Sequence, residues 1–327
     1  MNQEQAILRV RNLSTCFRTD RGDVTAVDRV SFDVFRGETL GIVGESGCGK
    51  TVTSKSIMRL LPEHLSYFKQ DSEILFDGKN LAFAKEKELR QVRGNDIAMI
   101  FQEPMTALNP VFTVGWQLDE ALKYHTKLDK AGRKKRALEM LKLVEMPNPE
   151  RRLSEYPHQL SGGMRQRVMI AIALCCEPDV LIADEPTTAL DVTIQAQILR
   201  LMEDLKKRVG TAIVLITHDL GVVAQVCDRV LVMYAGQVVE TAPVRQLFHQ
   251  PSHPYTKALL DSLPKPGVHQ DRLTAIEGIV PSLFDLPSGC RFSDRCALCE
   301  DQCRNEPPQI QTLDSPDCSV RCHFPLQ

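Results

Sequence analysis

The sequence predicts an α/β fold in which a mainly parallel sheet is covered by helices on both faces. Nearly continuous apolar runs, which are typical of strands buried on both faces, occur at residues 39–43, 97–101, 180–185 and 212–217. Helical stretches separate these runs, as in repeated strand–helix–strand units. Upstream, residues 6–36 alternate apolar and polar side chains, which predicts further strands with a hairpin turn at residues 19–23.

Length and composition are those of an ordinary globular protein. The chain has 327 residues, 43% hydrophobic and 25% charged, which suits one large domain with an extension or two domains. The net charge of −2 gives no indication of a surface that coats nucleic acid. No export signal is visible at the N-terminus, and the longest apolar run, residues 168–176, is shorter than the roughly 20 residues that span a bilayer. Any membrane role is therefore expected to depend on a partner.

The strongest functional signal is the stretch GESGCGKT at residues 44–51, between a predicted strand and a predicted helix. It matches the phosphate-binding pattern G-x-x-x-x-G-K-[ST] in the context that this pattern requires, and a chance match is the alternative. Glycines let backbone N–H groups point at phosphate oxygens, and the start of the helix adds positive potential. Lys50 is expected to reach the outer phosphates and Thr51 to hold Mg²⁺. The predicted nucleoside triphosphate site consists of Gly44, Glu45, Ser46, Gly47, Cys48, Gly49, Lys50 and Thr51.

Polar side chains follow three of the predicted central strands, at the edge where parallel sheets bind ligands. Asp184 and Glu185 end one apolar run, and strand side chains alternate between the two faces. If the strand continues through both residues, the two carboxylates are expected to have separate tasks. Asp184 would then hold Mg²⁺, and Glu185 would orient the attacking water. Gln102 and His218 follow two other runs and are candidates for nucleotide contacts, although a lone residue of either type is more often structural.

Residues 114–176 predict an all-helical insertion. Apolar positions at helical spacing occur in residues 114–124 and 129–145, and no strand pattern is evident. Ser161 is a good N-cap for the next helix, and Gly162 and Gly163 expose the N–H groups of its first turn. Two glycines destabilise a helix, and a second anion-binding site at its start would explain their presence. A helix that is merely capped is the alternative.

Together, these motifs resemble the ATP-binding subunits of ABC transporters over residues 7–262. In that family GESGCGKT is the Walker A loop, LSGGMRQ at residues 160–166 is the signature motif, and VLIADE at residues 180–185 is the Walker B strand. The resemblance implies an ATPase whose catalytic residues are Glu185, His218 and Gln102. The Mg²⁺ ligands that it implies are Thr51, Gln102 and Asp184. The further ATP contacts that it implies are the Walker A residues, Phe17 as the adenine-stacking ring (core packing is the alternative), and Ser161, Gly162, Gly163 and Asp191.

The resemblance also implies a fold and domain boundaries. The fold is a P-loop (RecA-like) ABC nucleotide-binding domain with an antiparallel β-subdomain, an α-helical subdomain and a cysteine-rich C-terminal extension. The nucleotide-binding domain is expected at residues 1–262, with the helical subdomain and signature motif at about 103–167. The extension is expected at residues 263–327.

Three further stretches resemble the oligopeptide/dipeptide importer branch of this family. They are FQEPMTALNP at 101–110, DEPTTALDVTIQAQ at 184–197 and HPYTKALL at 253–260. Of the two ATPase subunits that such importers use, the chain resembles the first more closely. The implied function is ATP hydrolysis that powers uptake of dipeptides or oligopeptides. The implied partners are a second paralogous ATPase subunit, two transmembrane permease subunits and an extracytoplasmic substrate-binding protein, with no nucleic acid. The implied location is the cytoplasmic face of the inner membrane, through the permease subunits.

Two kinds of alternative remain for this function. Relatives in the same branch serve nickel, glutathione, antimicrobial peptides or oligosaccharides. A soluble ABC ATPase outside transport is the alternative of another class. The presence of one Walker A loop and the absence of a heptad run disfavour it.

The C-terminal stretch is distinguished by cysteine, with six of the eleven cysteines after residue 289. Helical periodicity fades from Pro264, which predicts a short tail with little core that a metal would stabilise. Without an export signal, the cysteines favour metal over disulfides. In the resembled branch a [4Fe–4S] cluster is held by cysteines that match Cys290, Cys296, Cys303 and Cys322, and Cys299 and Cys318 are additional. Zn²⁺ is the alternative cofactor because four thiolates also suit it, and a tail without metal is a further alternative.

Overall fold

The computed structural model describes residues 6–102, 107–187, 192–263, 276–313, 315 and 317–326. The strands are β1 (Leu8–Phe17), β2 (Val24–Val34), β3 (Thr39–Val43), β4 (Ser66–Phe68), β5 (Glu73–Phe76), β6 (Lys79–Asn80), β7 (Ile97–Ile100), β8 (Val180–Asp184), β9 (Ala212–Ile216), β10 (Arg229–Tyr234), β11 (Gln237–Pro243), β12 (Gln311–Thr312) and β13 (Ser319–Val320). The α-helices are α1 (Lys50–Ile57), α2 (Glu86–Val92), α3 (Val114–His125), α4 (Lys130–Leu143), α5 (Pro149–Arg152), α6 (Gly162–Leu174), α7 (Val192–Val209), α8 (Leu220–Val226), α9 (Val244–His249), α10 (Pro254–Asp261) and α11 (Asp301–Asn305). Turns of 3₁₀ helix span Pro157–Gln159 and Ser293–Arg295.

The chain divides into two compact units. The first unit comprises Met1–Leu8, Val34–Glu38 and Phe83–Ile216. The second unit comprises Arg9–Asp33, Thr39–Ala82 and Thr217–Gln327.

The first unit contains a parallel sheet in the order β7-β8-β9. Ile97 lies opposite Val180, and Val180 lies opposite Ala212. All three strands are buried along their whole length, as their apolar sequences predict. The strand predictions at residues 97–101, 180–185 and 212–217 are therefore confirmed.

The helical insertion of the first unit is also confirmed, because residues 114–177 contain helices, one 3₁₀ turn and no strand. Side chains cap its helices at the N-terminus. Thr113 accepts a hydrogen bond from the Trp116 amide, and Ser161 accepts one from the Met164 amide at 3.4 Å. The predicted N-cap at Ser161 is thus correct.

The second unit contains an antiparallel sheet in the order β2-β1-β5-β6, with β4 paired to β1. Strands β1 and β2 alternate buried and exposed residues over part of their length, because one face of the sheet packs on the core. The predicted hairpin is confirmed.

The strand that precedes residues 44–51 belongs to another part of the second unit. There β3 pairs in parallel with β10, and β11, β13 and β12 continue in antiparallel order. The expectation of a tail with little core is confirmed for the residues described, because Phe292, Cys303, Cys318 and Val320 are its only buried hydrophobic side chains there. The C-terminal stretch nevertheless extends the sheet, since β13 pairs with β11.

Candidate functional site

The GESGCGKT stretch forms a tight loop between β3 and α1 in the second unit. Its lysine, Lys50, is only 7% exposed and begins α1. The Lys50 ammonium donates hydrogen bonds to the carbonyl oxygens of Gly44 at 2.6 Å and Glu45 at 3.0 Å. The loop therefore curls around this ammonium, with Ser46 and Gly47 exposed at its tip. Thr51 lies half-buried in the first turn of α1, where the sequence places a Mg²⁺ ligand.

Two glycines of this loop lie where no side chain fits. A Cβ atom on Gly44 would lie 2.2 Å from the Met233 carbonyl oxygen, and one on Gly49 would lie 2.8 Å from the Ala26 carbonyl oxygen. Both residues also have positive φ angles, which L-residues rarely adopt. Glycine at these positions allows the loop backbone to pack directly on neighbouring backbone.

Cys48 fills the space beneath the loop. Its side chain is fully buried, and its carbonyl oxygen accepts a hydrogen bond from the Gly236 amide. Burial raises the pKa of the thiol, an effect that the nearby Lys50 ammonium only partly offsets. The Cys48 thiol is therefore neutral and acts as a small packing group.

The first unit brings Gln102 and Glu185 together. The Gln102 side-chain amide donates a hydrogen bond to the Glu185 carboxylate at 3.1 Å. Asp184 ends β8 and is 1% exposed, whereas Glu185 has already left the strand with a φ of +49°. The Glu185 amide donates to the Ile216 carbonyl oxygen at the end of β9. The alternation of strand side chains therefore does not apply to this pair, because the strand ends at Asp184 and Glu185 adopts a left-handed conformation.

The start of α6 presents an open backbone surface in the same unit. A Cβ atom on Gly162 would meet no heavy atom within 4 Å. Behind this turn, the buried Gln166 side chain donates a hydrogen bond to the Pro186 carbonyl oxygen, next to Glu185. Sequence reasoning missed Gln166, although a polar residue at a buried position of an apolar helix is a detectable signal.

Three candidate residues remain, and one of them lies outside the described residues. Phe17 ends β1 and is half-buried, which fits either a packing or a stacking role. His218 follows β9 and is exposed, in the second unit. Asp191 lies outside the described residues.

The cysteines after residue 289 separate into two groups. One cavity in the second unit is lined by Cys290, Cys296, Cys303 and Cys322, together with apolar side chains that include Phe292 and Phe324. Burial, and secondarily neighbouring thiols, raises the pKa of Cys290 to about 11. The same causes raise the pKa values of Cys296 and Cys322. The four residues chosen from the resemblance are thus the four cysteines that share the cavity.

The two additional cysteines make other contacts. Cys318 is fully buried and donates to the Gln246 side-chain oxygen at 3.0 Å. Cys299 donates to the Glu300 carbonyl oxygen, and its thiol also interacts with the thiol of the cavity residue Cys303. His323 also borders the cavity, where its Nε2 atom hydrogen-bonds with the Glu306 carbonyl oxygen. The eleven cysteines, which all lie among the described residues, are thiols and not parts of disulfides.

The cavity cysteines do not form a ready-made metal site. Within the described stretches, no group of three or more His, Cys, Asp or Glu side chains is placed so that it could hold a metal ion. A single Zn²⁺ needs its thiolates about 2.3 Å from one point, whereas an iron–sulfur cluster binds thiolates spread around a larger core. The [4Fe–4S] cluster and the alternative Zn²⁺ both stay predictions for these four cysteines.

Comparison with known proteins covers both the loop and the C-terminal stretch. The ABC transporter family matches residues 27–188, and the family described as "Oligopeptide/dipeptide transporter, C-terminal region" matches residues 239–303. The chain is 54% identical to the dipeptide transport ATP-binding protein DppD of Bacillus subtilis over 97% of this chain and 94% of that protein. This chain belongs to the peptide-importer family of ABC ATP-binding proteins. It is an ABC-type ATPase of the kind that is coupled to transport.

Another relative and a solved structure support the assignment of this chain to the peptide-importer ATPases. The oligopeptide transport ATP-binding protein OppD of Bacillus subtilis is 53% identical over 94% of this chain and 87% of that protein. A solved dimeric ATP-binding cassette in a post-hydrolysis state, bound to ADP and Pi, is 29% identical with a TM-score of 0.66. That match covers 73% of this chain and 99% of the other. The peptide-importer ATPase thus has the ABC nucleotide-binding α/β fold, with β2-β1-β5-β6 as its antiparallel β-subdomain.

None of the helices in the described part of the peptide-importer ATPase combines the length and the apolarity that crossing a bilayer requires.

Proposed function

We propose that this chain hydrolyses ATP to drive the import of dipeptides or oligopeptides through separate membrane subunits. The observation that carries this proposal is the combination of a complete phosphate-binding loop with the C-terminal region of the peptide-importer family on one chain. Relatives over nearly the whole length are named for dipeptide or oligopeptide transport, which supports the substrate class.

The proposed nucleotide chemistry assigns a separate task to each candidate residue. Lys50 and the loop amides bind the phosphates of ATP, and Phe17 stacks on its adenine. Thr51, Asp184 and Gln102 hold Mg²⁺, which neutralises charge on the phosphates when it is bound. Glu185 holds the attacking water, and His218 contacts the γ-phosphate. The residues that contact ATP bound to a second ATPase subunit are Ser161, Gly162, Gly163 and Asp191.

The contact between Gln102 and Glu185 supports this division of labour. The hydrogen bond from the Gln102 amide restricts the orientation of the Glu185 carboxylate. A carboxylate held in this way is suited to accept a proton from water at a γ-phosphate. The proposed metal ligand Asp184 is the last residue of β8, whereas the proposed base Glu185 lies beyond the strand in a left-handed conformation.

The assembly proposed for this ATPase has three kinds of partner. A second paralogous ATPase completes two ATP sites, two permease subunits carry the substrate path, and an extracytoplasmic binding protein delivers the peptide. The chain then lies at the cytoplasmic face of the inner membrane, held there by the permease subunits.

Reconstitution tests this function. The complete complex in proteoliposomes, supplied with its binding protein, is expected to hydrolyse ATP faster when a dipeptide or oligopeptide is added and to accumulate that peptide. A matched preparation with a paralogue of unrelated substrate provides the control. Stimulation by nickel, glutathione, an antimicrobial peptide or an oligosaccharide, but not by peptides, would contradict the substrate class. Full activity without any membrane subunit would favour a soluble ABC ATPase.

The cavity cysteines support a proposed [4Fe–4S] cluster in the same chain. Four thiolates are the usual ligands of such a cluster, and the cavity brings together Cys290, Cys296, Cys303 and Cys322. Ligation requires deprotonated thiols, so a bound cationic core would lower the pKa values that burial raises. Zn²⁺ is the competing occupant. The proposed role is structural or sensing.

Metal analysis of matched variants tests the cluster. Anaerobically purified wild-type complex is expected to be brown, with about four irons and matching sulfide per chain. Cys290→Ser is expected to lose the iron and the colour, because Cys290 lines the cavity. Cys318→Ser is the control, since Cys318 lies outside the cavity lining and its thiol donates to the Gln246 side-chain oxygen, and it is expected to keep both. A colourless protein with one zinc per chain would overturn the proposal.

A further inference from the structure

A seven-residue segment between two cavity cysteines reaches back to the phosphate loop. Residues 290–296 begin and end with cysteines of the cavity and carry Arg291, Phe292 and Arg295 between them. All of these residues, and the loop itself, belong to the second unit. This segment connects the cysteine cavity to the nucleotide-binding loop within one compact body.

Arg295 makes the central contact of the segment. Its side chain is only 4% exposed, and its guanidinium donates to both carboxylate oxygens of Glu45, at 2.7 and 3.0 Å. Glu45 is the second residue of the phosphate loop. Bidentate arginine–carboxylate pairs combine strength with a fixed geometry, and their burial limits screening by salt. The guanidinium also donates to the Ile276 and Glu277 carbonyl oxygens, so the extension holds Arg295 from its other side.

The backbone of Glu45 is fixed as well. Its amide donates a hydrogen bond to the Tyr255 hydroxyl at 2.9 Å, and the Tyr255 ring is fully buried. The Tyr255 and Phe292 rings lie 5.3 Å apart at a steep angle, a favourable edge-on arrangement. Residues beyond position 250 therefore hold both the side chain and the amide of Glu45, while its carbonyl oxygen accepts from Lys50.

A second arginine of the segment anchors the surroundings of the loop. Arg291 forms a largely buried ion pair with Asp28 and donates to the Ala235 carbonyl oxygen. The following residue, Gly236, donates its amide to the Cys48 carbonyl oxygen within the loop. The segment thus contacts the loop directly through Arg295 and its supporting turn through Arg291.

We propose that Arg295 is a positioning residue of the nucleotide site, which holds the phosphate loop in its binding conformation through Glu45. This inference rests on the proposed function, because it assumes that the loop binds ATP. A phosphate loop binds by aligning several backbone N–H groups, so any freedom left in the loop must be lost on binding. The Arg295–Glu45 pair removes part of that freedom in advance. The C-terminal extension thereby contributes to nucleotide affinity without touching the nucleotide.

A double-mutant cycle on the assembled complex tests this positioning role. The variants are Glu45→Gln, Arg295→Gln and the double substitution, and the probe is Mg-ATP measured by calorimetry together with ATPase kinetics. Each single variant is expected to raise Kd for ATP about tenfold, equivalent to ~1.4 kcal/mol. The double variant is expected to be no weaker than either single, because both remove the same pair. KM should rise with Kd while kcat stays within about twofold, since the loss concerns binding shared by ground and transition states.

Arg304→Gln is the matched control, because Arg304 is an exposed arginine of the same extension. It is expected to keep the wild-type Kd. Wild-type Kd in both single variants, with only a lower melting temperature, would overturn the positioning role. Additive losses in the double variant would overturn it too. In either case, retained peptide-stimulated hydrolysis by the wild type leaves the proposed function intact, so the two failures are distinguishable.

Discussion

Replacing Glu185 with glutamine is expected to slow ATP hydrolysis by the assembled complex about 10²–10⁴-fold, the usual loss for a general base. ATP affinity should remain close to that of the wild type, because Glu185 belongs to neither the phosphate loop nor the proposed Mg²⁺ ligands. Glutamine has nearly the same shape, and its side-chain oxygen can still accept the hydrogen bond from Gln102. What is lost is the basicity of the carboxylate.

The measurement compares steady-state ATPase rates with the Kd for ATP in the same preparation. Glu139→Gln is a suitable control, because Glu139 is a surface carboxylate of the same unit that pairs with Arg136. Its rate should match the wild type. A Glu185→Gln complex that turns over at the wild-type rate would remove Glu185 from the mechanism and leave the water to another group.

The parts of the fold that sequence predicts well are those encoded by continuous stretches. Strands β3, β7, β8 and β9 are buried on both faces, so each appears as an unbroken apolar run. The phosphate loop is equally local, because its glycines, its lysine and the start of α1 lie within eight residues. Ser161 is predictable for the same reason, since an N-cap acts within one turn.

Other features depend on partners that are distant in sequence. Strands β4, β12 and β13 have only two or three residues and form because a neighbouring strand is present, so no periodicity reveals them. The tail is integrated because Val320 pairs opposite Glu240. The contact between Arg295 and Glu45 spans 250 positions. Neither contact has a local sequence signal.

The turn at Glu185 shows how a local rule fails at a candidate catalytic position. Alternation along a strand predicts opposite faces for Asp184 and Glu185, but the strand ends at Asp184. Glu185 adopts a positive φ angle, which costs a non-glycine residue on the order of 1–3 kcal/mol and persists only when the surroundings enforce it. Its amide bond to Ile216 and its carboxylate contact with Gln102 provide that constraint.

Gly44→Ala is expected to be the most damaging single-methyl change in the phosphate loop. The new Cβ atom would lie 2.2 Å from the Met233 carbonyl oxygen and 2.8 Å from the Cys48 sulfur. The first of these neighbours is backbone of β10 and cannot move without disturbing the sheet. Crowding of this kind typically costs about 1–3 kcal/mol and occasionally more. The strain of a positive φ angle adds to it, and the displaced loop should lose most of its affinity for ATP.

Gly47→Ala separates the crowding from the backbone strain. Gly47 also has a positive φ angle, but a Cβ atom there would meet nothing within 4 Å, because the residue lies at the exposed tip of the loop. The Gly47→Ala variant should therefore lose only about 1–2 kcal/mol of its free energy of unfolding, which is the cost of holding an alanine in this backbone conformation. Thermal unfolding of both variants without nucleotide is the measurement, and Gly44→Ala should unfold at the lower temperature by several degrees. Equal losses would mean that the close approach of Gly44 to Met233 does not constrain the loop, and that glycine is needed at both positions for backbone conformation alone.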